Sequence, residues 1–166
     1  MRKAFKWIFL IGISAVVVLL IYQILNKQNH LTSARQNRQN WPSDVAFIDL
    51  NGNKTLLQEV HEDSLLAIYF NPDCGHCQDF GKAVKQQQAK FSNHQFVWVS
   101  PANTNEISAY RDTILHASAN HVFLRDTSQA FYKAFGYQTF PSILVYHHGR
   151  LFRAYQADIK LDLLLP

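Results

Sequence analysis

Apolar positions along this chain follow two different patterns. From Ile8 to Leu25 they form an 18-residue run, IFLIGISAVVVLLIYQIL, with no charge and a single glutamine near its end. Ile, Val and Leu cover every face of it, so it lacks the one-sided stripe of a helix that rests on a core. With Ala4, Phe5 and Trp7 the stretch reaches the ~20 residues needed to cross a bilayer. Trp7 and Tyr22 lie near its ends, as interfacial aromatics do. A cleaved signal peptide is the rival reading, but the apolar region is long for one and Thr32-Ser33-Ala34 is a poor small-x-small site. The pattern predicts an uncleaved membrane anchor over residues 1–25, embedded through residues 7–25. Residues 26–40 are rich in Gln and Asn, with Leu31 an isolated apolar position, and read as a polar tether or a short continuation of the helix.

From Trp41 the pattern becomes one of short runs. Val45 to Leu50 alternates loosely and meets Asn51-Gly52-Asn53, a hairpin signal with Thr55-Leu56-Leu57 as the returning arm. Leu65 to Phe70 is continuously apolar, as a strand buried on both faces should be. Phe80, Val84 and Phe91 follow at helical spacing among lysines and glutamines, predicting a helix to about Phe91. Phe96–Ser100 reads as a strand stopped by Pro101. A helix to about His116 is expected next, capped by Thr104 or Asn105. His121–Leu124 is a short strand, and Ser128–Phe135 a helix ended by Gly136. Ser142–Tyr146 and Leu151–Tyr155 flank His147-His148-Gly149-Arg150 as a second hairpin, and Asp158–Leu165 reads as a terminal helix. Strands alternating with helices predict an α/β domain over residues 41–166, with a central mixed sheet flanked by helices.

Composition permits this: hydrophobic residues make up 48% of the chain and aromatics 13%, enough for a real core. The net charge of +4 hides an asymmetry. Residues 1–40 hold six of the sixteen Lys and Arg and none of the twelve Asp and Glu, leaving the remainder at ten against twelve, or −2. The globular part therefore has no basic field to recruit nucleic acid. Arg2, Lys3 and Lys6 crowd one end of the apolar run and favour keeping it in the cytoplasm, with Lys27, Arg35 and Arg38 blunting the bias. The domain is expected on the outer side of the membrane.

The candidate chemistry sits in Asn71-Pro72-Asp73-Cys74-Gly75-His76-Cys77, which carries both cysteines of the chain. Strand, then Cys-x-x-Cys, then helix places Cys74 at a helix start, where unpaired N–H groups and the dipole favour an anion such as a thiolate. Cys77 falls on the same face, near enough to close a tight disulfide ring. His76, when protonated, favours the thiolate further. Three plainer readings compete. A structural disulfide across so small a ring staples little chain; a structural zinc wants a second ligand pair that is missing; inert buried thiols do not suit the polar residues around them. Redox exchange is the reading that remains.

Taken together, Cys74-Gly75-His76-Cys77 after a strand, the hairpin ahead of it, Phe131-Tyr132-Lys133-Ala134-Phe135-Gly136, and Thr139-Phe140-Pro141 before a strand make residues 41–166 resemble the thioredoxin fold. The likeness is to its membrane-tethered bacterial branch related to TlpA and ResA. The resemblance implies a thiol-disulfide oxidoreductase with the hairpin as an N-terminal extension. It implies a cis Phe140–Pro141 bond against the cysteine pair, Cys74 as nucleophile and Cys77 as resolving thiol. Phe140, Thr139 and Gly75 would border the substrate, the Phe140 backbone being open to strand-like pairing. It further implies a redox-active Cys74–Cys77 disulfide in place of any cofactor. Partners would be protein thiols or disulfides and a membrane electron-transfer protein, with the chain a single-pass protein of a bacterial inner membrane and its domain in the periplasm. The Cys-Gly-His-Cys tetrapeptide is similar to that of protein disulfide isomerases, which implies a more oxidising pair than one with proline inside. Two positions depart from the pattern. Ile68 stands where many thioredoxins place a buried acid, leaving Asp73 or Asp79 to relay a proton through water, and Phe140 is bulkier than usual.

Two rival functions follow from other classes. Thioredoxin-like copper chaperones pair two cysteines with a distant histidine, and soft thiolates suit Cu(I); here His147 or His148 would join Cys74 and Cys77 if the closing hairpin reaches them. A tethered interaction domain without chemistry would be expected to lack a cysteine or the proline. His30, His61, His94, His116 and His121 show no metal-ligand spacing.

Overall fold

The computed structural model describes residues 13–29, 39–60, 62–116, 119–157 and 161–164. Two units emerge, Met1–Ser33 and Ala34–Pro166. In the first, residues 13–29 form helix α1, whose side chains are all exposed, Val18 and Tyr22 by about two thirds (65% and 68%). Among the described residues no helix is long and apolar enough to cross a membrane. The anchor expected over residues 1–25 falls partly on residues 1–12, and most of the tether on residues 30–38, outside the described part.

The second unit is built on one seven-stranded mixed sheet in the order β2-β1-β5-β4-β3-β6-β7. The strands are β1 (Ala46–Asp49), β2 (Lys54–Leu56), β3 (Ser64–Tyr69), β4 (Gln95–Ser100), β5 (His121–Arg125), β6 (Ser142–His147) and β7 (Arg150–Gln156). Three helices join them: α2 (Gly75–Gln86), α3 (Thr104–Tyr110) and α4 (Ala130–Phe135). β3 lies parallel to β4 and antiparallel to β6, and its period-two alternation feeds two cores. Leu66, Ile68 and Phe70 face Cys77, Phe80 and Val84 of α2 and Ile107 and Tyr110 of α3. Leu65, Ala67 and Tyr69 face Phe131, Ala134 and Phe135 of α4, with Phe47 of the hairpin. A continuously apolar strand is what burial on both faces requires, and β3 meets it with five buried residues after Ser64.

Local chemistry sets the ends of the elements. Asp49 accepts from the backbone N–H groups of Asn51 and Asn53 at 2.9 and 2.7 Å, closing the first hairpin. His148 and Gly149, at φ 48° and 72°, make the two-residue turn of the second, where left-handed backbone matches strand twist. Gly136 ends α4 at φ 80°, as a glycine C-cap does. Four expectations need correction. The cap of α3 is Asn103, one residue before Thr104: its side chain accepts from Glu106 N–H while Glu106 reaches back to its own N–H. That helix then widens to π geometry over Arg111–Leu115 instead of running uniformly to His116. The helix after the cysteines stops at Gln86 and gives way to a separate 3₁₀ turn, Gln88–Phe91. Of the terminal helix expected over Asp158–Leu165, the described part is a 3₁₀ turn, Leu161–Leu164.

Candidate active site

β3 delivers the cysteine segment to one end of the sheet. After Phe70, the Asn71 side chain accepts from the Asp73 N–H at 2.9 Å, and the Asn71 carbonyl from the Cys74 N–H at 3.1 Å. This turn sets Cys74 at the cap of α2 in extended backbone, φ −80° and ψ 120°. Gln78 donates to the Pro72 carbonyl at 2.8 Å, fastening the first turn of the helix to the loop before it. Cys74 is half-buried and Cys77 fully buried, both as free thiols. One cysteine is thus partly open to solvent while the other is enclosed in the core, and the two are chemically unequal. Burial pushes the Cys77 thiol up to about 12; the Asn71 backbone N–H works against that shift and Cys74 adds to it.

The segment before β6 comes to the same place. The Phe140–Pro141 peptide is cis, and the Cys74 thiol donates to the Phe140 carbonyl at 3.9 Å. Ser142 holds this turn through its hydroxyl, which donates to the Thr139 carbonyl at 2.7 Å. Phe140 packs its ring against Tyr69, centroids 4.9 Å apart, and touches both cores. Its bulk is absorbed inward, with the backbone left beside Cys74. Thr139, Gly75 and His76 are exposed around the cysteine. A Cβ at Gly75 would meet nothing within 4 Å, so its presence there is not a matter of space.

His147 and His148 lie elsewhere. β6 pairs Ser142 with Tyr69 at the cysteine end and His147 with Ser64 at the other, five residues away, which at ~3.4 Å per residue is roughly 17 Å. There the His147 ring bonds the Ser64 hydroxyl and the His148 ring meets the Asp63 carboxylate, each at 3.2 Å. The closing hairpin points away from the cysteines, so a copper site built from Cys74, Cys77 and either histidine is excluded by strand register. No group of three or more metal-ligating side chains occurs among the described residues.

Ile68 is fully buried in the same core as Cys77, and among the described residues no carboxylate replaces it. Asp79 is exposed and paired with Lys82 at 3.2 Å, and Asp73 is exposed. Asp126 is buried, but it accepts from the N–H groups of Ser128, Ala130 and Phe131 at the start of α4, on the sheet face away from α2. The polar side chain that does reach the resolving cysteine is Tyr110 of α3. Its hydroxyl donates to the Cys77 carbonyl at 2.6 Å within the core. Sequence reading missed it because a tyrosine 33 residues downstream at a helical core position looks like any other packing residue.

No family profile and no curated protein matches the chain. Solved structures do. One is dsbF of Mycobacterium tuberculosis in mixed oxidized and reduced forms, 18% identical over 74% of this chain and 90% of that one, with TM-score 0.62. A second is a secreted M. tuberculosis disulfide oxidoreductase homologous to E. coli DsbE, 16% identical over 78% and 93%, TM-score 0.62. A third is a thioredoxin-like protein from Aeropyrum pernix, 9% identical over 69% and 81%, TM-score 0.58. At these identities the likeness establishes the fold: a thioredoxin-like α/β domain with a mixed sheet flanked by helices.

Proposed function

We propose that this chain is a membrane-tethered thiol-disulfide oxidoreductase that exchanges disulfides with protein partners through Cys74 and Cys77, beside Pro141. One observation carries the reading: a partly exposed Cys74 at a helix cap, its sulfur 3.9 Å from the Phe140 carbonyl, with buried Cys77 one turn behind it. A structural pair has no use for that inequality, whereas exchange needs a reachable attacking thiol and a sheltered resolving one.

The chemistry follows from the geometry. The Cys74 thiolate attacks one sulfur of a partner disulfide; a Cys74–partner bond forms and the partner's other sulfur leaves with the electron pair. Cys77 then loses its proton, attacks Cys74, and releases the partner's second sulfur as a thiol. Two electrons pass to the partner and the Cys74–Cys77 disulfide remains. Run in reverse, that disulfide is donated to a partner dithiol. The Phe140 backbone beside Cys74 suits an extended substrate segment, bordered by Thr139 and Gly75. As a reductase the domain needs re-reduction by a membrane electron-transfer protein, because with two cysteines in all the chain has no internal relay. The apolar run over residues 7–25 and the basic residues ahead of it support a single-pass anchor in a bacterial inner membrane with the domain outside the cytoplasm. The dsbF structure in mixed oxidized and reduced forms and the secreted disulfide oxidoreductase have the same fold, which agrees with this reading.

The test is a trap. Cys77→Ser should accumulate a mixed disulfide on Cys74 when the full chain meets disulfide-bearing proteins, and Cys74→Ser should accumulate none. A folded Cys77→Ser variant that captures nothing would sink the proposal.

A further inference from the structure

The resolving cysteine sits in a setting that nothing at the cysteine motif itself explains. Cys77 is in the first turn of α2, and helix geometry pairs its carbonyl with the N–H of the residue four further on, Gly81. That carbonyl also accepts the Tyr110 hydroxyl at 2.6 Å, a second bond from a different helix. Gly81 is what makes room: a Cβ there would collide with the Tyr110 hydroxyl oxygen and stand 3.0 Å from Ile114 Cγ2. A glycine inside a helix costs up to about 1 kcal/mol against alanine, so its place in α2 has a structural reason in this approach. Immediately after Tyr110, α3 widens into π geometry over Arg111–Leu115, a distortion frequent at functional sites. The tyrosine is 3% exposed and wedged between Phe70 and Trp98, with ring centroids 4.7 and 5.9 Å away. Burial first, and the two cysteines after it, hold its phenol far above the ordinary value, so the hydroxyl stays a donor.

We infer that Tyr110, admitted by Gly81, is a positioning residue for resolution: its bond to the Cys77 carbonyl fixes the backbone of the resolving cysteine so that the sulfur stays aimed at Cys74. This rests on the exchange reading. In the step concerned, the Cys77 thiol gives its proton to solvent and its sulfur bonds to Cys74 Sγ. The bond between Cys74 and the partner breaks, and the partner sulfur takes the electron pair and a proton. Cys77 must hold its orientation while the partner occupies Cys74. With Ile68 where an acid could otherwise contact that thiol, a polar tie to the backbone is what the core offers.

The experiment follows the reduced full chain with glutathione disulfide, timing two events by quenched mass analysis: appearance of the Cys74–glutathione mixed disulfide (capture) and its loss (resolution). Tyr110→Phe keeps the ring and removes the tie, and should lower the ratio of resolution to capture roughly fivefold, about what one hydrogen bond contributes. Gly81→Ala, which displaces the hydroxyl, should lower it similarly, and the double variant should be no worse than Tyr110→Phe alone. A hydroxyl that only packs would lower the melting temperature and leave the ratio as it is. A wild-type ratio in folded Tyr110→Phe, or effects of the two substitutions that multiply, would overturn the inference while leaving exchange intact. A wild-type chain that glutathione disulfide converts to neither the mixed disulfide nor the Cys74–Cys77 disulfide overturns the exchange reading itself. Should Gly81→Ala not fold, the Tyr110→Phe ratio decides alone.

Discussion

Cys77 and His121 show how burial assigns chemical roles to single residues. With its thiol pushed up to about 12, Cys77 is almost wholly protonated near neutrality, and only the thiolate attacks. Resolution should therefore quicken by about tenfold per pH unit between pH 7 and 9, read as the decay of a pre-formed Cys74 mixed disulfide; a flat profile would mean that another group takes the proton. His121 is held down to about 4 by burial. It accepts from the Trp98 indole N–H at 2.9 Å and stacks on Phe96 at 4.5 Å between centroids. Its folded-state value lies below the ordinary ~6.5, so the unfolded chain takes up a proton that the folded one refuses. The stability this gives is complete above about pH 6.5 and drains away as the pH falls toward 4, by on the order of 2 kcal/mol given its partial exposure. His94, lowered by burial and then by nearby His147, acts in the same direction. Urea unfolding at pH 7.5 and 4.5 should show the loss, and His121→Gln should flatten it.

Among the elements, the helix starts depend on individual side chains. Asn103 and Glu106 satisfy each other's backbone N–H at the start of α3, and Asn103→Ala should cost about 1 kcal/mol in chemical unfolding. Asp126 is more exacting. It takes three N–H groups at the start of α4 from a buried position, so Asp126→Ala should cost roughly 2–4 kcal/mol. If the two variants cost the same, the burial argument for Asp126 is wrong. The sequence told of a cap near residue 104 but missed its position, since Asn103, Thr104 and Asn105 are all competent caps. The Asn-x-x-Glu spacing of Asn103 and Glu106 was the discriminating signal, and it was there to be read.

At the scale of the whole molecule, two units of different charge character share one chain. The +4 over residues 1–33, against no net charge over residues 34–166, together with the apolar run predicts that a chain beginning at Ala34, the boundary between the units, keeps its folded domain while losing affinity for lipid vesicles. Thermal unfolding and vesicle flotation measure the two halves of that statement; a collapsed melting temperature in the shortened chain would refute the first. The fold itself was largely visible beforehand. Strand and helix order from β1 to β7 followed from apolar runs punctuated by Asn51-Gly52, Pro101, Gly136 and His148-Gly149. These signals are local, and each turn residue acts on its own few neighbours.

The candidate site was visible only in part, and the reason is distance along the chain. Cys74 and Cys77 declare themselves by spacing, and Pro141 through the resemblance. The sequence by itself determined the order of elements, the charge division and which thiol sits at the helix start, because propensity, turn chemistry and periodicity act within a few residues. Only tertiary structure decided that β6 carries His147 and His148 to the far end of the sheet, and that Asp126 serves α4 on the opposite face. It alone brought Tyr110 33 residues back to Cys77 through the space left at Gly81. Strand register and the packing of α3 on α2 set those placements, and both come from the summed burial of residues far apart in sequence, which no short stretch encodes.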